Sequence, residues 1–172
     1  MNVKVLMSDV DGTLLTSEGR VSDLTREAIK NVREKGILFG LSTGRDVHSV
    51  RNSLKDWGID GLVDAIVGTG GAEICDISMN VERSSLPLDG GAIREIIRHF
   101  EDMDVNFAIP SGGILYAPKD DEHIRMLSKA DRIPYRVVDF DRFLEEPRPK
   151  VMIVCRPEDI DQVAPEDGTL VG

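Results

Sequence analysis

The sequence feature that most constrains the fold and function of this chain is an apolar run that ends in two acids separated by one residue. Residues 3–8 are mostly apolar, and Asp9-Val10-Asp11-Gly12 follow directly. A run of this kind predicts a buried parallel strand. Because alternate residues of a strand point to the same side, Asp9 and Asp11 are expected to face one side together. Two carboxylates at a buried strand end cost stability unless a cation or a ligand balances them, so the pattern predicts a site.

Phosphoryl transfer through an aspartate is the chemistry that suits this pair. Asp9 lies nearer the rigid strand end and is predicted to be the nucleophile that carries the phosphoryl group. Asp11 is predicted to protonate the leaving alcohol and then to deprotonate the attacking water. Both carboxylates are candidate ligands of Mg2+, which would offset the repulsion between nucleophile and phosphate. Gly12 lets the backbone turn close to the ligand, so that amide N–H groups can face phosphate oxygens.

A helix and a second strand follow the acids. Ser22 is a suitable helix N-cap, and Lys35 with Gly36 closes the helix. Residues 37–41 form the next apolar run, so the span predicts a β-α-β unit with parallel strands. A further helix over 47–57 and a third strand over 65–67 are predicted on the same grounds.

The second strand ends in Ser42-Thr43-Gly44-Arg45. Ligands of open parallel sheets bind at the carboxyl ends of the strands, which places these residues beside the two acids. A hydroxyl and a helix N-terminus here can bind a phosphate oxygen, with Thr43 as the first candidate and Ser42 as the second. A helix N-cap is the alternative role for either hydroxyl. Arg45 can support the phosphate site or pair with a neighbouring acid, and the residues alone leave both roles open.

Both segments are similar to signatures of a known family. Residues 9–14 resemble the first signature of the haloacid dehalogenase (HAD) superfamily of phosphohydrolases, and the Thr-Gly-Arg of residues 43–45 resembles the second. A surface turn and an EF-hand calcium loop are the alternatives for the first segment, but the EF-hand loop places its glycine later. The resemblance implies a Mg2+-dependent phosphomonoester hydrolase that works through an aspartyl phosphate. The two acids would be catalytic and metal-binding, and Gly12 with residues 42–45 would bind substrate.

The rest of the chain resembles the Cof-type subgroup of that superfamily. Gly71 and Ala72 match the subgroup's Asn-Gly-Ala, but Gly70 stands where that Asn would be, and the glycines are interpreted as a tight turn. From residue 84 onward, helices alternate with hairpin-like strands, which predicts an α+β unit and resembles the subgroup's cap. The predicted fold class is α/β, with a HAD-like Rossmannoid parallel sheet at 1–83 and an α+β cap domain at 84–172. The predicted cap elements are a helix over 91–103, strands over 105–109 and 114–116, a helix over 121–130, strands over 136–138 and 151–154, and a helix from Pro157.

Two further signatures of the superfamily are absent from the 172 residues: a Lys that opens a helix, and a Gly-Asp pair followed by another acid. In the subgroup both follow the cap, so the resemblance implies a truncated chain without the C-terminal half of the core. Lys150 precedes an apolar strand and is a weak substitute. A natural short form and a non-catalytic metal- or phosphate-binding module are alternatives, and a receiver-type phosphoacceptor ranks below them. The incomplete sheet predicts an exposed edge that favours homo-oligomers.

The composition limits the classes of molecule that the chain is expected to bind. The net charge of -10 argues against nucleic acid and anionic membranes, so the expected partner is a small phosphate ester of the sugar phosphate or phosphoglycolate class. Cys75 and Cys155 form no metal-ligand pattern and are predicted to be buried in a reducing cytoplasm. No signal peptide or membrane-spanning run is predicted, which also favours a cytoplasmic protein. Structural roles are expected for His48, His99 and His123.

Overall fold

The computed structural model describes residues 3–85 and 87–163. The chain divides into two units, each with its own apolar core. Unit 1 extends to Pro87 and includes Ser111–Gly113, and unit 2 comprises Leu88–Pro110 and the residues from Ile114 onward. The expected boundary between core and cap, at residues 83 and 84, lies a few residues before this division.

Unit 1 is built on one mixed sheet. Its strands are β1 (Val5–Ser8), β2 (Leu38–Ser42), β3 (Ala65–Gly68), β4 (Glu73–Asp76) and β5 (Val81–Ser84), and its helices are α1 (Asp23–Glu34) and α2 (Val47–Ser53). The five strands lie in sequence order. β1, β2 and β3 are parallel to one another, which confirms the predicted β-α-β unit.

β4 and β5 are antiparallel to their neighbours and were not predicted. The predicted parallel sheet is thus confirmed for β1 to β3, and two antiparallel strands extend it. Both strands are short, and β5 is exposed along its whole length, so no apolar run marks it in the sequence. A turn at Thr69–Gly71 reverses the chain between β3 and β4.

β1 is exposed, in contrast to the prediction of a buried strand. Val5, Leu6 and Met7 are 46%, 44% and 39% exposed. Among the described residues β1 pairs with β2 alone, so it forms the edge of the sheet. Parallel strands are normally covered on both faces, and β1 lacks that cover within the part of the chain that the structure describes.

The helices of unit 1 begin at side-chain caps. The Ser22 hydroxyl accepts a hydrogen bond from the Thr25 N–H at 3.1 Å, which confirms the predicted start of α1. Asp46 caps α2, and its Oδ1 accepts from the Ser49 N–H at 3.1 Å. α2 ends at Ser53, before the predicted end at residue 57, and the chain continues in turns. The largest fully buried side chains of this core include those of Val10, Leu41, Val50, Ile59 and Ile66.

Unit 2 has the predicted α+β composition. Its strands are β6 (Asn106–Ser111), β7 (Ile114–Ala117), β8 (Tyr135–Val137) and β9 (Met152–Val154), and its helices are α3 (Gly90–His99), α4 (Glu122–Asp131), α5 (Phe140–Phe143) and α6 (Ile160–Val163). The strands form one sheet in the order β8-β7-β6-β9. α3 ends before its predicted limit of residue 103, and α5 was not predicted. The predicted final helix begins as a short turn at Pro157–Asp159, and its continuation beyond Val163 lies outside the described residues.

The two cysteines differ in burial. Cys75 is fully buried in the core of unit 1, as predicted, whereas Cys155 is half-buried. Burial raises the pKa of both thiols. Within residues 3–85 and 87–163, none of the helices has the length and apolar character needed to cross a membrane.

Candidate active site

The segment after β1 turns sharply and leaves the Asp9 carboxylate accessible. Gly12 has φ +76°, a left-handed conformation that favours glycine. The Leu15 N–H donates to the Val10 carbonyl at 3.1 Å and closes the turn. Asp9 is exposed, and its Oδ2 accepts a hydrogen bond from the Thr13 hydroxyl at 3.0 Å. The turn therefore presents Asp9 to solvent with one oxygen oriented by Thr13.

The strand register brings the two predicted segments to one edge of the sheet. Ser8 is the register partner of Leu41, so Asp9 and Ser42 are the next residues along two paired parallel strands. Ser42 is exposed, whereas Thr43 is only 6% exposed. The parallel pairing predicted from the sequence is therefore the physical reason that residues far apart in the chain meet here.

Arg45 joins the two segments directly. Its Nε donates to Asp11 Oδ2 at 2.8 Å and its Nη2 donates to Asp11 Oδ1 at 2.9 Å. The Arg45 side chain is 15% exposed and that of Asp11 is 53% exposed. A two-pronged contact of this kind fixes the carboxylate in orientation as well as in position. The structure contains the pairing of Arg45 with a neighbouring acid, and its support of the phosphate site stays a prediction.

Thr43 contributes a hydroxyl beside this pair. Its Oγ1 accepts a hydrogen bond from the Arg45 N–H at 3.2 Å. A hydroxyl that accepts one bond still has its own hydrogen to donate. Gly44, between them, is exposed. Of the predicted substrate-binding residues, Ser42 is thus the last residue of β2, and Thr43, Gly44 and Arg45 follow it as one continuous loop.

The N-terminus of α2 is less available to a ligand than the sequence indicated. The Val47 N–H donates to Glu73 Oε2 at 3.0 Å, and the Ser49 N–H donates to Asp46 Oδ1 at 3.1 Å. Two of the first N–H groups of this helix are therefore already bonded to carboxylates. Phosphate binding by the helix N-terminus stays a prediction, and it would have to use N–H groups other than these two.

Sequence reasoning missed the residues that support this loop. Glu73 begins β4, and its Oε2 also accepts a hydrogen bond from the Thr69 hydroxyl at 2.8 Å. Thr69 has φ +51°, which is rare for a β-branched residue. The signal in the sequence is the glycine-rich stretch of residues 68–71, which precedes Glu73 by two residues, although the glycines by themselves predict only a tight turn.

The described residues contain one group of three metal-ligating side chains, and it lies in unit 2. Ligand atoms of Asp104, Glu122 and His123 lie within 4.8 Å of one another. The predicted acids, Asp9 and Asp11, do not form such a group. Mg2+ usually takes one or two carboxylates and completes its shell with waters and substrate phosphate, so the accessible Asp9 carboxylate fits this ion. Both oxygens of Asp11 are bonded to Arg45.

Known proteins resemble this chain in sequence. A model of the haloacid dehalogenase-like hydrolase family matches residues 6–166. A Haemophilus influenzae protein named "Putative phosphatase" is 30% identical over 163 residues, which are 93% of this chain and 58% of that protein. The 5-amino-6-(5-phospho-D-ribitylamino)uracil phosphatase YcsE of Bacillus subtilis is 37% identical over 93 residues, 52% of this chain and 35% of that protein. The chain thus spans 58% or less of the length of these two curated relatives.

Solved structures resemble this chain in fold. A haloacid dehalogenase-like hydrolase from Bacteroides thetaiotaomicron superposes with a TM-score of 0.79 at 19% identity, over 96% of this chain and 63% of that one. A sugar phosphatase of HAD subclass IIB superposes with a TM-score of 0.76 at 20% identity, over 95% of this chain and 63% of that one. At such identities the similarity establishes the fold alone. Because the family match extends over nearly the whole sequence, the chain belongs to the haloacid dehalogenase-like hydrolase family.

Proposed function

We propose that this chain supplies the phosphate-binding and nucleophilic groups of a phosphomonoester hydrolase. Its substrate would be a small phosphorylated metabolite of the sugar phosphate or phosphoglycolate class. The observation that carries the proposal is the unequal treatment of the two acids. Arg45 holds both oxygens of Asp11, whereas Asp9 remains exposed and, within the described part of the chain, accepts a side-chain hydrogen bond from Thr13. One carboxylate is oriented, and the other is left accessible to an incoming phosphate.

The proposed reaction has two steps. In the first, an Asp9 oxygen bonds to phosphorus and the bond from phosphorus to the alcohol oxygen breaks. Asp11, protonated on an oxygen that has released its hydrogen bond from Arg45, gives that proton to the alcohol. In the second, Asp11 takes a proton from water, the water oxygen bonds to phosphorus, and the bond to Asp9 breaks to release phosphate. The Thr43 hydroxyl would hold a phosphate oxygen during both steps. Gly12, Ser42 and Gly44 would line the same position with backbone groups.

Asp9, with Asp11 as the second candidate, would hold Mg2+. Bound there, Mg2+ supplies positive charge that offsets the repulsion between the carboxylate nucleophile and the phosphate. A hard cation suits this position because carboxylate oxygens are its preferred protein ligands.

The substrate class rests on the relatives. One curated relative is named as a phosphatase of a phosphoribityl compound, and one structural neighbour is titled a sugar phosphatase. Both descriptions concern phosphate esters of small polyhydroxylated molecules. The net charge of -10 offers no general attraction to nucleic acid, and a small ester in the cytoplasm remains the proposed partner. Self-association through the open β1 edge is a separate proposal, which light scattering would test.

The direct test is phosphate release from a panel of sugar phosphates and phosphoglycolate with Mg2+ present. We expect Asp9→Asn to lower the rate by at least about a thousandfold, because the nucleophile is lost. Asp60→Asn, which removes an exposed acid elsewhere in unit 1, is the matched control and should leave the rate unchanged. Equal rates for wild type and Asp9→Asn would refute the assignment.

A second candidate function is a non-catalytic module that binds Mg2+ and phosphate. The contact of both Asp11 oxygens with Arg45 favours it, because neither oxygen is then free to exchange a proton with the alcohol or with water. For such a module we expect Mg2+ and phosphate to raise the temperature of unfolding of the wild type but not of Asp9→Asn. We also expect that no ester is hydrolysed.

A further inference from the structure

The turn between β3 and β4 is bonded to the loop after β2 through the backbone. The Thr69 N–H donates to the Arg45 carbonyl at 2.8 Å, and the Gly70 N–H donates to the Thr43 carbonyl at 3.1 Å. Gly68 approaches so closely that a Cβ there would lie 2.9 Å from the Arg45 carbonyl oxygen. The two segments are therefore in direct contact, and the position of one constrains the other.

Glu73 adds a side-chain bond to the same contact. Its Oε2 accepts from the Val47 N–H at 3.0 Å and from the Thr69 hydroxyl at 2.8 Å. One oxygen of Glu73 thus bonds to Val47, at the end of the Thr43–Val47 loop, and to Thr69, which contacts this loop. Because Val47 is also the first residue of α2, the bond fixes the point at which the loop becomes a helix.

Thr69 is held in an unfavourable backbone conformation by these bonds. It is 6% exposed and has φ +51°, a region that β-branched residues rarely occupy. Such a conformation persists only where the surroundings impose it, and it is found most often at functional sites. In Thr69 the N–H and the hydroxyl are bonded to Arg45 and Glu73, so the contact with the loop is what imposes the conformation.

We propose that Glu73 is a positioning residue for phosphate binding. Through Thr69 and Val47 it holds the Thr43–Val47 loop, so that the Thr43 hydroxyl and the Arg45 guanidinium keep their places at the strand ends. Glu73 itself does not touch the phosphate. The inference rests on the proposed function, because it names a support for the site where phosphate would bind.

The test uses Glu73→Leu, which removes both bonds, and Glu73→Gln, whose amide oxygen can still accept them. Glu82→Leu is the matched control, because Glu82 lies on β5 and binds Arg51 of α2 but not the loop. Two quantities are measured on the whole chain. They are the dissociation constant of inorganic phosphate with Mg2+ present, and the hydrogen-exchange rate of the Val47 amide.

If wild type binds phosphate, Glu73→Leu should weaken binding about tenfold, because the Thr43 hydroxyl would lose its position and with it its hydrogen bond to the charged phosphate. Glu73→Gln and Glu82→Leu should stay close to wild type. Unchanged binding in Glu73→Leu, or failure of Gln to restore binding, would overturn the proposal. If Glu73→Leu does not fold, Thr69→Val tests the same carboxylate, and binding equal to wild type would count against the role.

If wild type binds no phosphate, the proposed function fails. Hydrogen exchange at the Val47 amide then still tests whether Glu73 holds the loop in position. Faster exchange at Val47 in Glu73→Leu, but not in Glu82→Leu, would support the positioning role. Equal exchange in all variants would overturn it.

Discussion

Unit 1 and unit 2 each gather acids, and the two groups differ in how their charge is balanced. In unit 1, Arg45 binds Asp11 through two hydrogen bonds, while Asp9 is exposed. In unit 2, Asp104 accepts from His123 Nε2 at 3.1 Å through Oδ1, and Arg156 Nη2 lies 3.2 Å from its Oδ2. The unit 2 group has three ligand atoms within 4.8 Å of one another, yet its carboxylate at residue 104 is already paired on both oxygens.

This difference indicates that the proximity of ligand atoms is not sufficient to identify a metal-binding or catalytic site. His123 is 2% exposed and Arg156 is cationic, so the surroundings of Asp104 resemble a structural ion pair. The unit 1 acids follow the end of a parallel strand, where ligands of such sheets bind, and Asp9 there is exposed. We therefore propose a chemical role for the acids of unit 1 and a structural role for those of unit 2.

The largest expected effect is on catalysis. Asp11→Asn should lower kcat/KM for the best ester by about a hundredfold or more, because general acid–base catalysis is lost. Asp104→Asn should leave kcat/KM unchanged, and steady-state phosphate release measures both. A loss of activity in Asp104→Asn as large as that in Asp11→Asn would break the comparison.

Mg2+ should stabilise the chain by binding to the acids of unit 1 and not to those of unit 2. At a concentration a hundred times its Kd, Mg2+ should stabilise the chain by about 2.7 kcal/mol, through binding to the folded state. The stabilisation should disappear in Asp9→Asn and persist in Asp104→Asn, as measured by thermal unfolding with and without the ion. Loss in Asp104→Asn and survival in Asp9→Asn would reverse the assignment.

Removal of the buried histidine should affect stability and not ligand binding. His123→Ala should lower the free energy of unfolding by about 1–3 kcal/mol, because a nearly buried side chain and its hydrogen bond are lost. His99→Ala, which removes an exposed histidine of unit 2, should change it by less than about 0.5 kcal/mol. Urea unfolding measures both, and a change in Mg2+ affinity in His123→Ala would contradict the structural role.

The smallest effect is a dependence of unit 2 on acid pH. The hydrogen bond from His123, helped by the charge of Arg156, holds the pKa of Asp104 below its ordinary value. A carboxyl with a lowered folded-state pKa stabilises the fold above its unfolded pKa of about 3.9, and this contribution is lost as the pH falls through the folded value. The stability difference between wild type and Asp104→Asn should therefore shrink as the pH falls below about 4. Asp102→Asn is the control, and a difference independent of pH would contradict the pairing.

Much of the fold could be predicted because its signals are local. The N-cap at Ser22 and the apolar runs of β2 and β3 lie in continuous stretches, and the structure confirms them. β5 is not predicted, because its residues are exposed and show no alternation of apolar and polar side chains. The burial of β1 was predicted wrongly, since a strand's own residues do not reveal whether a neighbour covers it.

For the site, the sequence alone determined that an acid pair follows one strand and a Thr-Gly-Arg loop follows another. Backbone periodicity and the parallel connection were enough to place both at the same sheet edge. Only the tertiary structure decided that Arg45 binds Asp11, 34 residues away, and that Glu73 binds the Val47 N–H, 26 residues away. The physical reason is range: a strand or a turn is encoded by neighbours in the chain, whereas the partner of a charged side chain depends on which segments the fold brings within about 3 Å.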